Sequence, residues 1–402
     1  MILTLQYLED APELDQLDEH RVVEKLRRAG DILPITHLLI GWHLRPPRLL
    51  EACRREAERS GMRFIRWHPL LTGDGSFQPC LPWQVINLHG EPVPGFRKLP
   101  EFTFVCPNHP AVQEGIQQRI AALLQEGVYQ GFFLDRIRFP SPAAGPLENL
   151  GCFCTYCRQK AAAFDLDLPH LQHSLLQMTA QPGGRRLLVE ALLEGQPFFN
   201  GHPDLEELQR FLDFRRRSVT AFIAALSPQL RAAGMEIGLD YFSPCLTGMV
   251  GQDLAAVSSS ADWIKLMSYA HTLGPAGLPF EFLGLYTELT RGAGLDETEA
   301  LACLSRAARL PLPATRQGLE QQGLSPQALE NELRRGVAAC ATPVLAGFEL
   351  VEIAGVACLN PAQISADLAA IRRSGAAGLS ISWDLRHIPL ERLEHVRKEF
   401  QF

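Results

Sequence analysis

The chain has 402 residues, 46% of them hydrophobic and 21% charged, a composition that can bury a large core and excludes a disordered polypeptide. A net charge of -7 and a pI near 6.0 argue against a nucleic-acid partner, whose phosphates would need concentrated Lys and Arg. Ten cysteines are too few for a disulfide scaffold, the N-terminus turns acidic without a basic signal-type region, and no apolar run reaches membrane-spanning length. The expectation is a cytoplasmic protein with no membrane partner.

From the N-terminus onward, short apolar runs of strand type alternate with longer amphipathic stretches, which is how parallel sheets read. The spacing predicts strands over 2–8, 37–43, 63–70, 131–139, 236–242, 263–269, 344–353 and 378–384, and helices over 48–60, 112–127, 205–234 and 363–374. Gly61, Gly234 and Gly375 each stand between a helix pattern and the next strand, where glycine caps the helix. Eight such units predict an α/β fold, a (β/α)₈ TIM barrel. The long spans 150–234 and 278–342 read as helical insertions in one domain covering 1–402. No internal repeat, dinucleotide fingerprint, phosphate loop or GxSxG elbow is present.

In such a barrel the loops after the strands carry function, so the strand ends matter most. They are Trp42 and His43, Trp67 and His68, Asp135 and Arg138, Asp240 and Tyr241, Tyr269 and His271, Glu349 and Glu352, and Trp383 and Asp384. Acidic groups at several strand ends, mixed with aromatic rings, are the chemistry of a carbohydrate site: carboxylates act as acid, base or nucleophile, and ring faces pack on sugars. Asp135 follows Phe133 by two and so shares its inward direction, which makes it the candidate nucleophile or charge stabiliser. Arg138 is placed to pair with Asp135 or to hold an anionic group of the substrate. Glu349 is the first candidate for the partner acid and Asp240 the second, because both lie late in apolar runs where burial raises a carboxyl pKa. Alternation allows only one of Glu349 and Glu352 to point inward. Tyr269, His271, Trp383, Asp384, Trp67 and His68 are the candidate substrate contacts. Lys265 shares a face with Met267 and Tyr269, so it enters the barrel, and a buried lysine needs a carboxylate; Asp240 one strand earlier is the candidate.

Cys152, Cys154 and Cys157 form a CxCxxC run in a loop at 151–158, and Cys106 in FVCPNHP supplies a fourth thiol. Four thiolates close a tetrahedral shell and leave no position for water, so the reading is a structural Zn²⁺. Free cysteines, a disulfide or an iron–sulfur cluster are the alternatives.

The stretch CPNHPAVQEGIQQRIAALLQEGVYQGFFLDRIRFP followed by CFCTYCRQKAAAF resembles the third and fourth barrel units of the family 42 β-galactosidases. The resemblance covers about 104–164 and implies Cys106, Cys152, Cys154 and Cys157 as ligands of a structural zinc. The rest of the chain resembles uncharacterised glycosidase-like barrels whose fourth strand reads as a variant of GxxLDxIRxP. Family 42 enzymes carry an Asn-Glu pair at the end of this strand, whereas here the residues are Leu134, Asp135, Arg136 and Ile137. The resemblance therefore implies the scaffold, the metal site and a carbohydrate ligand, but not the acid/base. The leading expectation is a glycoside hydrolase acting through Asp135 with Glu349 or Asp240. The alternative is a non-catalytic carbohydrate-binding or scaffold barrel that lost the acid, and a third reading is another barrel chemistry, such as a lyase or an aldolase-type reaction through Lys265. Barrels of this kind often self-associate, which leaves a homo-oligomer open.

Overall fold

The computed structural model describes residues 1–9, 14, 16–41, 47–73, 77, 79–194 and 203–400. Eight parallel strands close on themselves in chain order: β1 Ile2–Tyr7, β2 His37–Ile40, β3 Arg63–Pro69, β4 Gly131–Asp135, β5 Glu236–Phe242, β6 Trp263–Met267, β7 Val344–Glu349 and β8 Gly378–Ser382. The ring is completed where Ile2 pairs with Gly378 and Leu5 with Ile381. The architecture is the (β/α)₈ barrel that the alternating pattern implies.

All eight predicted strands are present, and the differences lie at their C-terminal ends. Beyond Asp135 the chain turns at Arg136, which adopts a left-handed φ of 52°, and Phe139 N–H bonds the Val250 carbonyl instead of a neighbouring strand. Past Glu349 the Glu352 N–H goes to the His387 carbonyl, so the predicted extension to 353 is loop. The end of the second predicted strand, with Trp42 and His43, lies outside the described residues.

The helices start and stop where their caps dictate. Pro110–Glu126 begins with proline after the His109 cap and ends at Gly127, whose φ of 64° suits a residue without a Cβ. Pro361–Ser374 begins with a reciprocal Asn360–Gln363 capping box and ends at Gly375 with φ 83°. The span 150–234 carries the helices Thr155–Ala162, Leu168–Thr179, Pro182–Glu194 and Pro203–Ala232. The span 278–342 carries Leu278–Thr287, Glu297–Ala308, Arg316–Gln322 and Pro326–Ala339. None of the described helices is long and apolar enough to cross a membrane.

Inside the ring, Leu39, Ile65, Trp67, Phe133, Trp263 and Leu345 form one buried cluster, while the strands' outward faces join a larger core beneath the helices. Trp263 stacks on Phe133 with ring centroids 5.3 Å apart, and its Nε1–H donates to Glu236 at 2.7 Å. The same Glu236 oxygen lies 2.9 Å from His37 Nε2, so the lower end of the ring is sealed by ring surface and a satisfied carboxylate. A Cβ on Gly238 would fall 2.2 Å from the Trp263 ring, which is why glycine stands there. Truncating Trp263 to alanine would leave a void costing about 3–5 kcal/mol.

Candidate active site

Above this plug the interior turns polar. A cavity of about 310 Å³ opens at the C-terminal ends of the strands, with Trp67, Asp135, Asp240, Lys265, Tyr269 and Trp383 among its walls. Gln6, Glu9, Arg136, Arg138 and Met267 line it as well.

Asp135 ends β4 on the inward face, in phase with Phe133 as alternation requires. Its Oδ2 accepts the indole N–H of Trp67 at 3.0 Å, and its Oδ1 accepts the backbone N–H of Arg136 at 2.5 Å. The second bond exists because Arg136 takes the left-handed conformation, a strained choice for a residue with a Cβ and one that concentrates at functional sites. The two donors fix the carboxylate against the cavity wall.

On the adjacent strand, Leu239 pairs with Leu134, so Asp240 stands in the rank next to Asp135 on the same inner face. Lys265 Nζ lies 3.1 Å from Asp240 Oδ2 and 2.9 Å from Gln6 Oε1, the pairing anticipated for a lysine inside the ring. Gly347 stands beside it: a Cβ there would fall 2.3 Å from the Leu266 carbonyl oxygen and 3.1 Å from Lys265 Cε. Burial pushes the Asp240 carboxyl up to about 7, with the Lys265 ammonium opposing and the nearby Asp135 charge adding to the rise. Its Oδ1 is buried without a hydrogen-bond partner, as is Gln6 Nε2. Burial disfavours the Lys265 ammonium, yet Asp240 and Tyr269 outweigh it and hold the pKa above the usual lysine range. A Schiff-base lysine needs a free amine lone pair, which this environment withholds.

Arg138 is sandwiched between the rings of Phe104 at 4.6 Å and Phe242 at 4.5 Å, where burial lowers its pKa to about 10 despite Glu281 and Asp135 nearby. Its Nη1 donates to the Phe139 carbonyl, whereas Nε has no partner. Glu9, partly buried at the mouth, has its carboxyl raised to about 7 by burial, with Arg136 opposing. The Tyr269 and Trp383 rings pack against each other in the cavity wall, tilted by 55° with centroids 6.3 Å apart.

The other predicted residues go elsewhere. The Glu349 Oε1 accepts the backbone N–H of His271 at 2.7 Å, and the carboxyl, raised to about 7 by burial, does not line the cavity. The His271 ring turns outward, with Nε2 2.8 Å from Asp367 and Nδ1 2.8 Å from the Gln322 carbonyl. His68 stands opposite in phase to Trp67 and packs on Phe132 in the helical shell. Asp384 is fully buried and accepts the N–H groups of Leu8, Glu9 and Arg386 and the Arg386 side chain, a tie between the ends of β8 and β1. Glu352 is half-exposed and lies 3.7 Å from Arg392. Gln6 and Glu9 were not singled out from the sequence; polar Thr4 and Gln6 alternating within an apolar run were the available signal.

The four predicted thiols are brought together. The sulfurs of Cys106, Cys152, Cys154 and Cys157 all lie within 4.8 Å of one another, and none forms a disulfide. N–H groups converge on them: Ile86 N on Cys152 at 3.4 Å, Asn108 N on Cys106 at 3.4 Å, and Asn108 Nδ2 on Cys157 at 3.3 Å. Donors aimed at sulfur suit thiolates, so this set fits a bound metal ion. Asn108 is itself held by Lys160 at 2.8 Å and Ser218 at 3.0 Å.

No protein-family model matches the chain, and no curated protein matches it. Among solved structures, the PgaB (BpsB) glycoside hydrolase domain from Bordetella bronchiseptica is similar at TM-score 0.57 and 13% identity, over 100% of this chain and 99% of that one. A class V chitinase from Pseudomonas fluorescens Pf-5 is similar at TM-score 0.51 and 11% identity, over 100% of both chains. An alpha-L-fucosidase isoenzyme 2 from Paenibacillus thiaminolyticus gives TM-score 0.51 and 11% identity over 100% of this chain and 48% of that one. What is shared at such identities is the barrel.

Proposed function

We propose that the cavity at the strand ends hydrolyses a glycosidic bond, with Asp135 as nucleophile or charge stabiliser and Asp240 as the general acid. The observation that carries this reading is two inward carboxylates on adjacent strands in unlike surroundings: Asp135 held by two N–H donors, Asp240 raised to about 7 by burial. A carboxyl near 7 is still protonated in a sizeable fraction of molecules at neutral pH and can pass that proton to the departing oxygen, while the other meets the charge that develops at the sugar carbon. Trp383, Tyr269 and Trp67 offer ring surface for the sugar, and Arg138 a cation for its oxygens. The glycoside hydrolases among the structural neighbours, including one acting in name on chitin, support this class of substrate. Glu349 is left outside the pair because it does not line the cavity.

The thiolate cluster is proposed to hold a structural zinc ion through Cys106, Cys152, Cys154 and Cys157. Its four sulfurs would close the coordination shell, so the ion would brace the rim loop and take no part in the reaction. Hydrolysis of a panel of 4-nitrophenyl glycosides tests the main reading: the wild type releases nitrophenol from at least one, and Asp135→Asn abolishes the release while remaining folded. Sugar binding without turnover by the wild type would overturn it in favour of a binding barrel.

A further inference from the structure

Beside the central cavity lies a second one of about 220 Å³, and Phe102, Arg138 and Pro275 form walls of both. Four phenylalanines line it together with three prolines: Phe96 meets Phe102 edge-on at 5.6 Å and Phe280 at 5.5 Å, and Phe104 underlies the Arg138 guanidinium. Apart from Arg138, whose Nε is free, the buried and half-buried polar side chains at its edge already have partners. Ser141 donates to the Glu281 carboxylate, Ala276 N–H donates to the same carboxylate at 2.9 Å, and Asn149 Nδ2 donates to the Gly145 carbonyl at 3.0 Å. Arg97, which is exposed, lays its guanidinium over the Phe96 ring at 5.1 Å.

A sugar ring placed here would give up its water and find few free donors or acceptors, each unpaired hydroxyl costing roughly 1–3 kcal/mol. An apolar group would lose nothing by leaving water and would gain ring contacts on several sides. The space suffices, since a dry cavity of about 150 Å³ already accepts benzene. We infer that this second cavity is the leaving-group subsite of the proposed site, and that it takes an aryl or other apolar aglycone in preference to a second sugar. The assignment rests on the central cavity being the place of glycoside cleavage, which puts the leaving group on one side of Arg138 and the sugar on the other.

2-Naphthol fluorescence titration of the full chain tests the subsite apart from the activity. The wild type binds 2-naphthol, Phe280→Ala weakens it roughly tenfold or more through the lost ring contact, and Asp135→Asn, whose side chain is not in this cavity, leaves it unchanged. Phe280→Leu, which keeps the wall apolar and the fold intact, retains most of the affinity. Naphthol binding insensitive to Phe280→Ala, or none in the wild type, overturns the subsite even if glycosides are hydrolysed. Phe280-dependent binding in a protein that hydrolyses no glycoside leaves the apolar cavity standing and overturns its place in a hydrolytic site.

Discussion

Lys265 Nζ sits 3.1 Å from the Asp240 carboxylate on the neighbouring strand, with 1% and 3% of the two side chains exposed. Each charge is tolerated inside the ring through the other, because an isolated ion there would lose its hydration without return. Asp240 thus carries opposing influences: burial raises its pKa and the ammonium restrains the rise.

Lys265→Met is accordingly expected to lower stability by about 3–5 kcal/mol, since it strands a buried carboxyl. It also removes the restraint on Asp240, so the alkaline limb of the activity profile moves upward from about 7. Denaturant unfolding and a pH–rate profile of the variant check both; an unmoved limb would mean that Asp240 is not the titrating acid.

Asp240→Asn is expected to lower turnover of aryl glycosides by roughly 10²–10⁴-fold, the usual contribution of a positioned proton donor. In the wild type the rate falls as pH rises through about 7, where the acid loses its proton. The variant's residual rate should no longer show that fall, which a pH series between 5 and 9 reads directly.

Glu349 offers a pH signature in stability, independent of catalysis. Its folded pKa of about 7 lies above the ordinary value of 4.5, so the folded state holds a proton that the unfolded chain has released between those limits. Stability from this group is present below about 4.5 and is lost as pH rises through 7. Glu349→Gln, which mimics the protonated form, should therefore gain in melting temperature over the wild type between pH 5 and pH 8. A constant offset across that range would contradict the raised pKa.

For the thiolate cluster, plasma emission analysis of the purified chain is expected to find about one zinc ion per molecule. Cys154→Ser should abolish it, and Asn108→Ala, which removes the amide donor to Cys157, should weaken metal affinity about 10–100-fold as read by competition with a chromogenic chelator. Metal content unaffected by Cys154→Ser would exclude this site.

The barrel was legible because its strands are buried on both faces and so read as near-continuous apolar runs between amphipathic helices. The strand ends were drawn too long for the same reason: Ile137 and Phe139 are fully buried although they lie in loop, and burial rather than hydrogen-bonded pairing is what an apolar letter reports. Period-two alternation placed Asp135 and Lys265 inside the ring, and the need of a buried lysine for a carboxylate pointed to Asp240. It also separates Trp67 from His68, only one of which can face inward, and the structure turns the indole in and the imidazole out. Glu349 and His271 escaped such reasoning, because the loop after β6 brings the His271 N–H to the carboxylate and distant partners, Asp367 and Gln322, turn the His271 ring. Glu9 follows β1 in a loop, where no periodicity applies, and Arg136 matters through a backbone conformation that its side chain does not announce.

The seal formed by Trp263, Phe133 and the Glu236–His37 contact gives the proposed chemistry a traffic rule. With the base of the ring shut, anything that enters the cavity must do so from the side of the strands' C-terminal ends, where Tyr269 and Trp383 form part of its wall. On the proposed function, substrate and product would then share one route in and out, so a product that is slow to leave would hold up the next substrate.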